Sequence, residues 1–130
     1  MSGLFDSNVE QINSVLWPDA ELEALQIGYD FINIKVEESN GLVRIIRCEG
    51  YIGFEGVGFW DEIVISEATM LKKHELIDRC LSSISNRLGG SAVDSGSIAR
   101  NLRDWGLFQI KFIDGTELNI VMSKILVETM

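Results

Sequence analysis

Short runs of alternating apolar and polar residues recur along the sequence beside turn signals, and they predict antiparallel β-hairpins. The clearest runs are 31–36, 108–112 and 118–122, in which every second residue is aliphatic or Phe. Alternation with a period of two places such residues on one face of a sheet. A chain with this pattern is expected to fold around a half-buried antiparallel sheet.

The register of the first hairpin can be deduced from its turn. With Tyr29-Asp30 as a two-residue loop, Ile27 lies opposite Ile32, and the next inward pair, Leu25 and Ile34, also matches. The segment 20–27 is rich in Ala, Glu and Leu and is therefore also compatible with a helix. The register match favours the strand.

Glycines shape the next part of the sequence. Asn40-Gly41 predicts a type I′ turn before a third strand over 42–48, which continues into 51–54. The glycines between 50 and 58 predict a bulge and strong bending. A fourth strand from 63 to about 68 is expected to complete a meander.

The C-terminal hairpin has two candidate loops. A two-residue loop at Asp114-Gly115 would place Phe112 opposite a glutamate, whereas a three-residue loop 113–115 places Ile110 opposite Leu118. The second register pairs apolar residues, and we therefore expect the three-residue loop, with Phe108 opposite Ile120.

Two helices are predicted. Ser7 and Glu10 form a capping-box pattern, which predicts a short helix running to about Trp17, before Pro18. Apolar residues at helical spacing predict the main helix over 74–88, capped by Gly89 and packed on the sheet. A Gly/Ser-rich loop over 89–97 and a short helical turn over 98–103 are expected to follow.

Length and composition favour one domain. The 130 residues are 46% hydrophobic and contain a single Pro, so nothing in 1–130 is typical of a linker between domains. We therefore predict a single α+β domain with a mainly antiparallel sheet. The sheet comprises a meander of about four strands plus a C-terminal hairpin, packed by one main helix, with a short N-terminal helix.

The charge distribution restricts the classes of partner. Residues 1–70 contain 13 acidic and 3 basic side chains, and residues 71–130 contain 7 acidic and 8 basic ones. Phosphate backbones and anionic lipids repel such a chain, which excludes nucleic acid and membrane surfaces as expected ligands and leaves a basic protein as a candidate partner. An acidic surface also serves solubility alone. Without a signal-peptide pattern or an apolar run of membrane-spanning length, we expect a cytoplasmic protein with Cys48 and Cys80 as buried free thiols.

The residues that could carry catalysis are few. His74 is the only histidine, and Asp78 lies one helical turn later, but Cys80 falls about 120° away around the same helix. Two cysteines and one histidine are too few for a structural zinc site. The glycines over 50–58 match no phosphate-binding motif. We expect no catalytic residues, no metal and no cofactor.

Two acidic clusters each follow a tryptophan and form the candidate partner-binding residues. These residues are Trp17, Asp19, Glu21, Glu23, Trp60, Asp61 and Glu62. An exposed Trp ringed by carboxylates is typical of a contact with a basic protein surface. The alternative is that both Trp side chains belong to the core and the acids are only solvated.

Several short motifs resemble those of another group of proteins. The segments 17–22, 32–36, 48–50 and 60–62 read WPDAEL, INIKV, CEG and WDE. In order and spacing they resemble small bacterial proteins of the uncharacterised and toxin-immunity class. The resemblance implies a binding protein that neutralises a partner toxin by contact, and it implies no catalytic residues.

The sequence thus favours a non-enzymatic protein-binding module, such as an immunity-type inhibitor with an acidic docking face. One alternative is a homodimeric structural or assembly protein, since an open sheet leaves edge strands unpaired. A second alternative is a small hydrolase-like enzyme.

Overall fold

The structure is a computed structural model that describes residues 4–57, 63–87 and 105–130. Its elements, in chain order, are α1 (Leu4–Asn13), β1 (Glu21–Ile27), β2 (Phe31–Glu37), β3 (Val43–Glu49), β4 (Gly53–Val57), β5 (Ile65–Leu71), α2 (Glu75–Arg87), β6 (Gly106–Phe112), β7 (Glu117–Met122) and β8 (Lys124–Thr129). All strand pairs are antiparallel. The predicted α+β class is confirmed.

The strands of the described residues form two four-stranded sheets, in the orders β1-β2-β3-β8 and β4-β7-β6-β5. The meander consists of β1, β2 and β3. The fourth predicted strand, β5, pairs with β6 and touches the start of β1, where the amide of Asp19 donates to the carbonyl of Ile65. Backbone hydrogen bonds between β5 and the start of β1 therefore link the two sheets, in addition to the strands that run from one sheet into the other.

A bent two-stranded ribbon connects the sheets. β3 leads into β4 beyond Gly50, β7 leads into β8 at Ser123, and the two strands pair on both sides of the bend. Gly50 has a φ of +65°, and a Cβ at this position would collide with the Ser123 hydroxyl. The bending predicted in the glycine-rich stretch thus occurs at Gly50, where only glycine fits both the conformation and the space.

The main core lies between the two sheets. Inward residues such as Ile34 and Ile46 from one sheet meet Phe108 and Ile120 from the other, all of them fully buried. Helix α1 packs on β8 and β5, an edge strand of each sheet, and contributes Ile12 to this core. Helix α2 covers the outer face of the second sheet, where its residues Leu76 and Ile77 pack on Leu107 and Val121.

Both hairpin registers predicted from alternation are confirmed. Ile27 pairs with Ile32 and Leu25 with Ile34. Ile110 pairs with Leu118 and Phe108 with Ile120, around the three-residue loop with Gly115 at a φ of +91°.

The prediction of a type I′ turn at Asn40-Gly41 is wrong. Gly41 has a φ of +89°, but Asn40 does not have the positive φ that this turn requires. The amide of Glu38 donates to the carbonyl of Leu42, so the loop comprises three residues, 39–41, and ends on a left-handed glycine like the loop before β7. The Asn40 side chain accepts from the amide of Leu42 and stabilises this longer loop.

The predicted capping box at Ser7 is also wrong, since α1 already begins at Leu4 and ends at Asn13 rather than near Trp17. Tertiary contacts extend the helix towards its N-terminus: Phe5 packs near Gly106 and under the Lys72 ammonium, 4.9 Å from its ring centroid. The main helix is confirmed as α2. The predicted loop over 89–97 and helical turn over 98–103 lie outside the described residues.

Candidate protein-docking site

Trp17, the aromatic residue of the first acidic cluster, belongs to the core. It is 5% exposed, its Nε1 donates to the carbonyl of Ile12 at 2.8 Å, and its ring centroid lies 5.7 Å from that of Phe108. The interpretation of Trp17 as an exposed contact is therefore corrected, because an indole with a satisfied N–H and buried faces offers no surface to a partner.

The three acids after Trp17 are exposed. Asp19 sits in a tight turn in which the amide of Ala20 donates to the carbonyl of Trp17 at 2.9 Å. Pro18 at the second position and an Asp19 φ of +66° match a type II turn, whose third position usually holds Gly or Asn. Glu21 and Glu23 follow at the start of β1, and the turn thus presents all three acids at one end of the first sheet.

A bulge in β1 brings further carboxylates together. The β1–β2 register shifts between Leu22 and Ala24, so that Glu23 is the extra residue and Glu21 lies directly opposite Glu37. We call Asp19, Glu21, Glu23 and Glu37 the acidic face. Like charges directly opposite each other on a sheet are destabilising.

The interaction among the acids of the acidic face is seen at Glu37. The pKa of Glu37 is raised, first by a hydrogen bond with Glu23, which requires a proton on one of the two carboxyls. The negative charges of Glu23 and Glu21 and partial burial raise it further, and only Lys35 lowers it. Within the described residues, Glu37 thus interacts mainly with other acids of the acidic face.

A cavity of about 360 Å³ opens beside these acids. It is lined by Asp19, Glu21, Glu37, Glu38, Ser39 and Gly41. This volume is at the lower end of ligand-sized cavities. Four of the six residues are acids, so that a group entering the cavity meets mainly carboxylates.

Glu38 differs from the acids around it because it is compensated. It is 4% exposed, and its Oε2 accepts from Arg44 Nε at 2.9 Å and from the amide of Leu16 at 3.3 Å. Arg44 also donates to the carbonyl of Ser14 and to Thr129. This ion pair fixes one wall of the cavity. Among the described residues, the other lining carboxylates, Asp19, Glu21 and Glu37, make no such ion pair.

The second predicted cluster, Trp60, Asp61 and Glu62, lies outside the described residues. Sequence reasoning missed Glu37 and Glu38. The sequence did contain a signal for them. If the predicted register of the first hairpin is continued to the ends of its strands, Glu21 lies close to Glu37 and Glu38.

The residues considered for catalysis have structural roles. His74 Nδ1 accepts from the amide of Leu76 at 2.9 Å and caps the N-terminus of α2. Cys48 is fully buried and Cys80 partly buried, and the two do not form a disulfide with each other. Burial raises the pKa of each thiol. A raised thiol pKa disfavours the nucleophilic thiolate.

Within 4–57, 63–87 and 105–130, no group of three His, Cys, Asp or Glu side chains is placed to hold a metal ion. In the same part of the chain, neither helix has the length and apolar character needed to cross a membrane. No protein-family model matches the chain, and neither a curated protein nor a solved structure is significantly similar to it.

Proposed function

We propose that this chain is a non-enzymatic protein-binding module whose acidic face docks on a basic surface of a partner protein. In keeping with the resemblance to small bacterial immunity-type proteins, the partner is proposed to be a toxin that is neutralised by contact in the cytoplasm. The observation that carries the proposal is the cross-strand pair Glu21 and Glu37, with Glu23 bulged out beside it.

The arrangement of Glu21, Glu23 and Glu37 destabilises the free protein. Opposed carboxylates destabilise a hairpin. The pKa of Glu37 is raised first by its hydrogen bond with Glu23 and then by the negative charges of Glu23 and Glu21, with partial burial between them. Solubility alone needs a net charge on the surface, but it does not need like charges placed directly opposite each other. Lysine or arginine side chains of a partner would relieve the repulsion among these carboxylates. Binding would therefore be favoured by the removal of an interaction that destabilises the free protein.

The core position of Trp17 changes the expected chemistry of the contact. Without an exposed indole from this residue, the described part of the docking surface is mainly electrostatic. Such contacts accelerate association and select the partner by charge, and they weaken as salt rises.

The test is affinity capture from the native lysate with three proteins in parallel: wild type, Glu21→Gln/Glu23→Gln, and the control Glu10→Gln/Glu75→Gln. The control removes the same charge from exposed acids outside the acidic face. We expect one stoichiometric basic protein with wild type and control, and its loss with Glu21→Gln/Glu23→Gln and at moderate salt. Recovery of the same protein by all three would refute the acidic face as the docking site.

A further inference from the structure

The outer edge of β8, the edge strand of the first sheet, is covered by side-chain amides of α1. Asn8 Nδ2 donates to the carbonyl of Ser123 at 3.0 Å, and Asn8 Oδ1 accepts from the amide of Ile125 at 2.9 Å. Gln11 Oε1 accepts from the amide of Val127 at 2.9 Å. Asn8 is 1% exposed, so these bonds lie in the interface between helix and strand.

The hydrogen bonds of Asn8 reproduce strand pairing. Its amide donates to the residue before Lys124 and accepts from the residue after it, which is the pattern that one residue of a parallel strand makes with its neighbour. Helix α1 therefore takes the place of a further strand. Proteins commonly cover edge strands in this way, because an open edge pairs with other chains.

We propose that α1 guards the β8 edge, and that β8 pairs with β8 of a second copy of this chain when the guard is released. The strand is self-complementary. In an antiparallel pair centred on Leu126, Lys124 lies opposite Glu128 of the second copy, and the two Leu126 side chains meet at the centre.

The backbone of β8 fits the same pairing. Ile125 and Val127 direct their amides to the free edge, where Asn8 and Gln11 now bind them. Centred on Leu126, these two residues would exchange hydrogen bonds with Val127 and Ile125 of the second copy, as hydrogen-bonded pairs in an antiparallel ladder do. Release of α1 thus exposes the groups that the dimer uses.

The guard is held closed by the core. Ile12 and Val15, on and just after α1, are buried between the sheets, and Trp17 donates to the carbonyl of Ile12. The wild type is therefore expected to be monomeric. The dimer differs from the docking of a basic partner, because it uses β8 and not the acidic face on β1 and β2.

Sedimentation equilibrium of Asn8→Ala/Gln11→Ala from micromolar to submillimolar concentration tests the proposal, with circular dichroism to verify the fold. We expect a monomeric wild type and a concentration-dependent dimer of the variant. Adding Glu128→Lys should abolish the dimer, because lysines then face each other, and adding Lys124→Glu as well should restore it. A folded variant that stays monomeric, or a dimer that persists with Glu128→Lys, would overturn the proposal.

A milder variant covers the case in which the double variant does not fold. Asn8→Ala keeps the Gln11 bond, and amide hydrogen exchange at Ile125 is followed as protein concentration rises. Exchange that slows with concentration is expected, since pairing in the dimer protects the amide. Exchange at Ile125 that is faster than in the wild type but independent of concentration would show an open edge without self-pairing and contradict the proposal.

Discussion

Glu21 and Glu37 face each other across the β1–β2 hairpin, and a bulge at Glu23 places a third carboxylate next to them. The hydrogen bond between Glu23 and Glu37 and the surrounding negative charge hold the pKa of Glu37 above its ordinary value of 4.5. The free protein thus keeps an electrostatic conflict at the position proposed to meet a partner.

The conflict has a defined pH dependence. The pKa of Glu37 is raised in the folded state, so the folded protein binds a proton at this carboxyl more tightly than the unfolded protein does. The contribution of Glu37 to the free energy of unfolding therefore rises as the pH falls through the raised pKa towards 4.5. Urea unfolding of wild type and Glu37→Gln across this window should show that contribution in the wild type only. Equal pH slopes for the two proteins would contradict the raised pKa of Glu37.

The contribution of Asp19 to stability is expected to come from its backbone conformation and not from its charge. Its φ of +66° suits Asn nearly as well but penalises alanine. We expect Asp19→Ala to lower the free energy of unfolding by about 1 kcal/mol and Asp19→Asn to leave it nearly unchanged. Chemical denaturation measures both, and equal losses would indicate that the carboxylate itself stabilises the turn.

Trp17 should affect stability without affecting docking. Trp17→Phe removes the donor to the Ile12 carbonyl and part of a buried ring, which is expected to cost about 2 kcal/mol. The affinity for a captured partner, measured well below the melting midpoint, should stay at the wild-type value. A clear loss of affinity in a folded variant would show that Trp17 takes part in the contact with the partner.

His74 is expected to act as a helix cap. His74→Ala should lower the free energy of unfolding by about 1 kcal/mol, whereas His74→Asn, which keeps a side-chain acceptor for the amide of Leu76, should retain most of the stability. Thermal unfolding of the two variants distinguishes them. If both lost the same amount, the cap would not explain the role of this residue.

The parts of the fold that depend on local pattern could be predicted from the sequence. Alternation and loop length together determine the pairing of Ile27 with Ile32 and of Ile110 with Leu118, because a shift of one residue would put apolar residues opposite polar ones. Apolar residues at helical spacing over 74–88 likewise predicted α2 from a local pattern.

The parts that depend on distant contacts could not be predicted. β4 pairs with β7, whose partner residues lie 60 to 68 positions later, and no local pattern selects that neighbour. Helix α1 begins before Ser7 because Phe5 and Asn8 pack on distant strands. At the candidate site, the acids after Trp17 were identified, but the bulge at Glu23 that brings Glu37 opposite Glu21 has no signal in the alternation.

Isothermal titration of the captured partner into wild type, Glu21→Gln/Glu23→Gln and Glu10→Gln/Glu75→Gln at two ionic strengths is the most direct test of the acidic face. Our account predicts at least about a tenfold loss of affinity for the first variant, corresponding to ~1.4 kcal/mol, a small change for the control, and weaker salt dependence where the charges are removed. Equal affinities of all three proteins, with equal salt dependence, would contradict it.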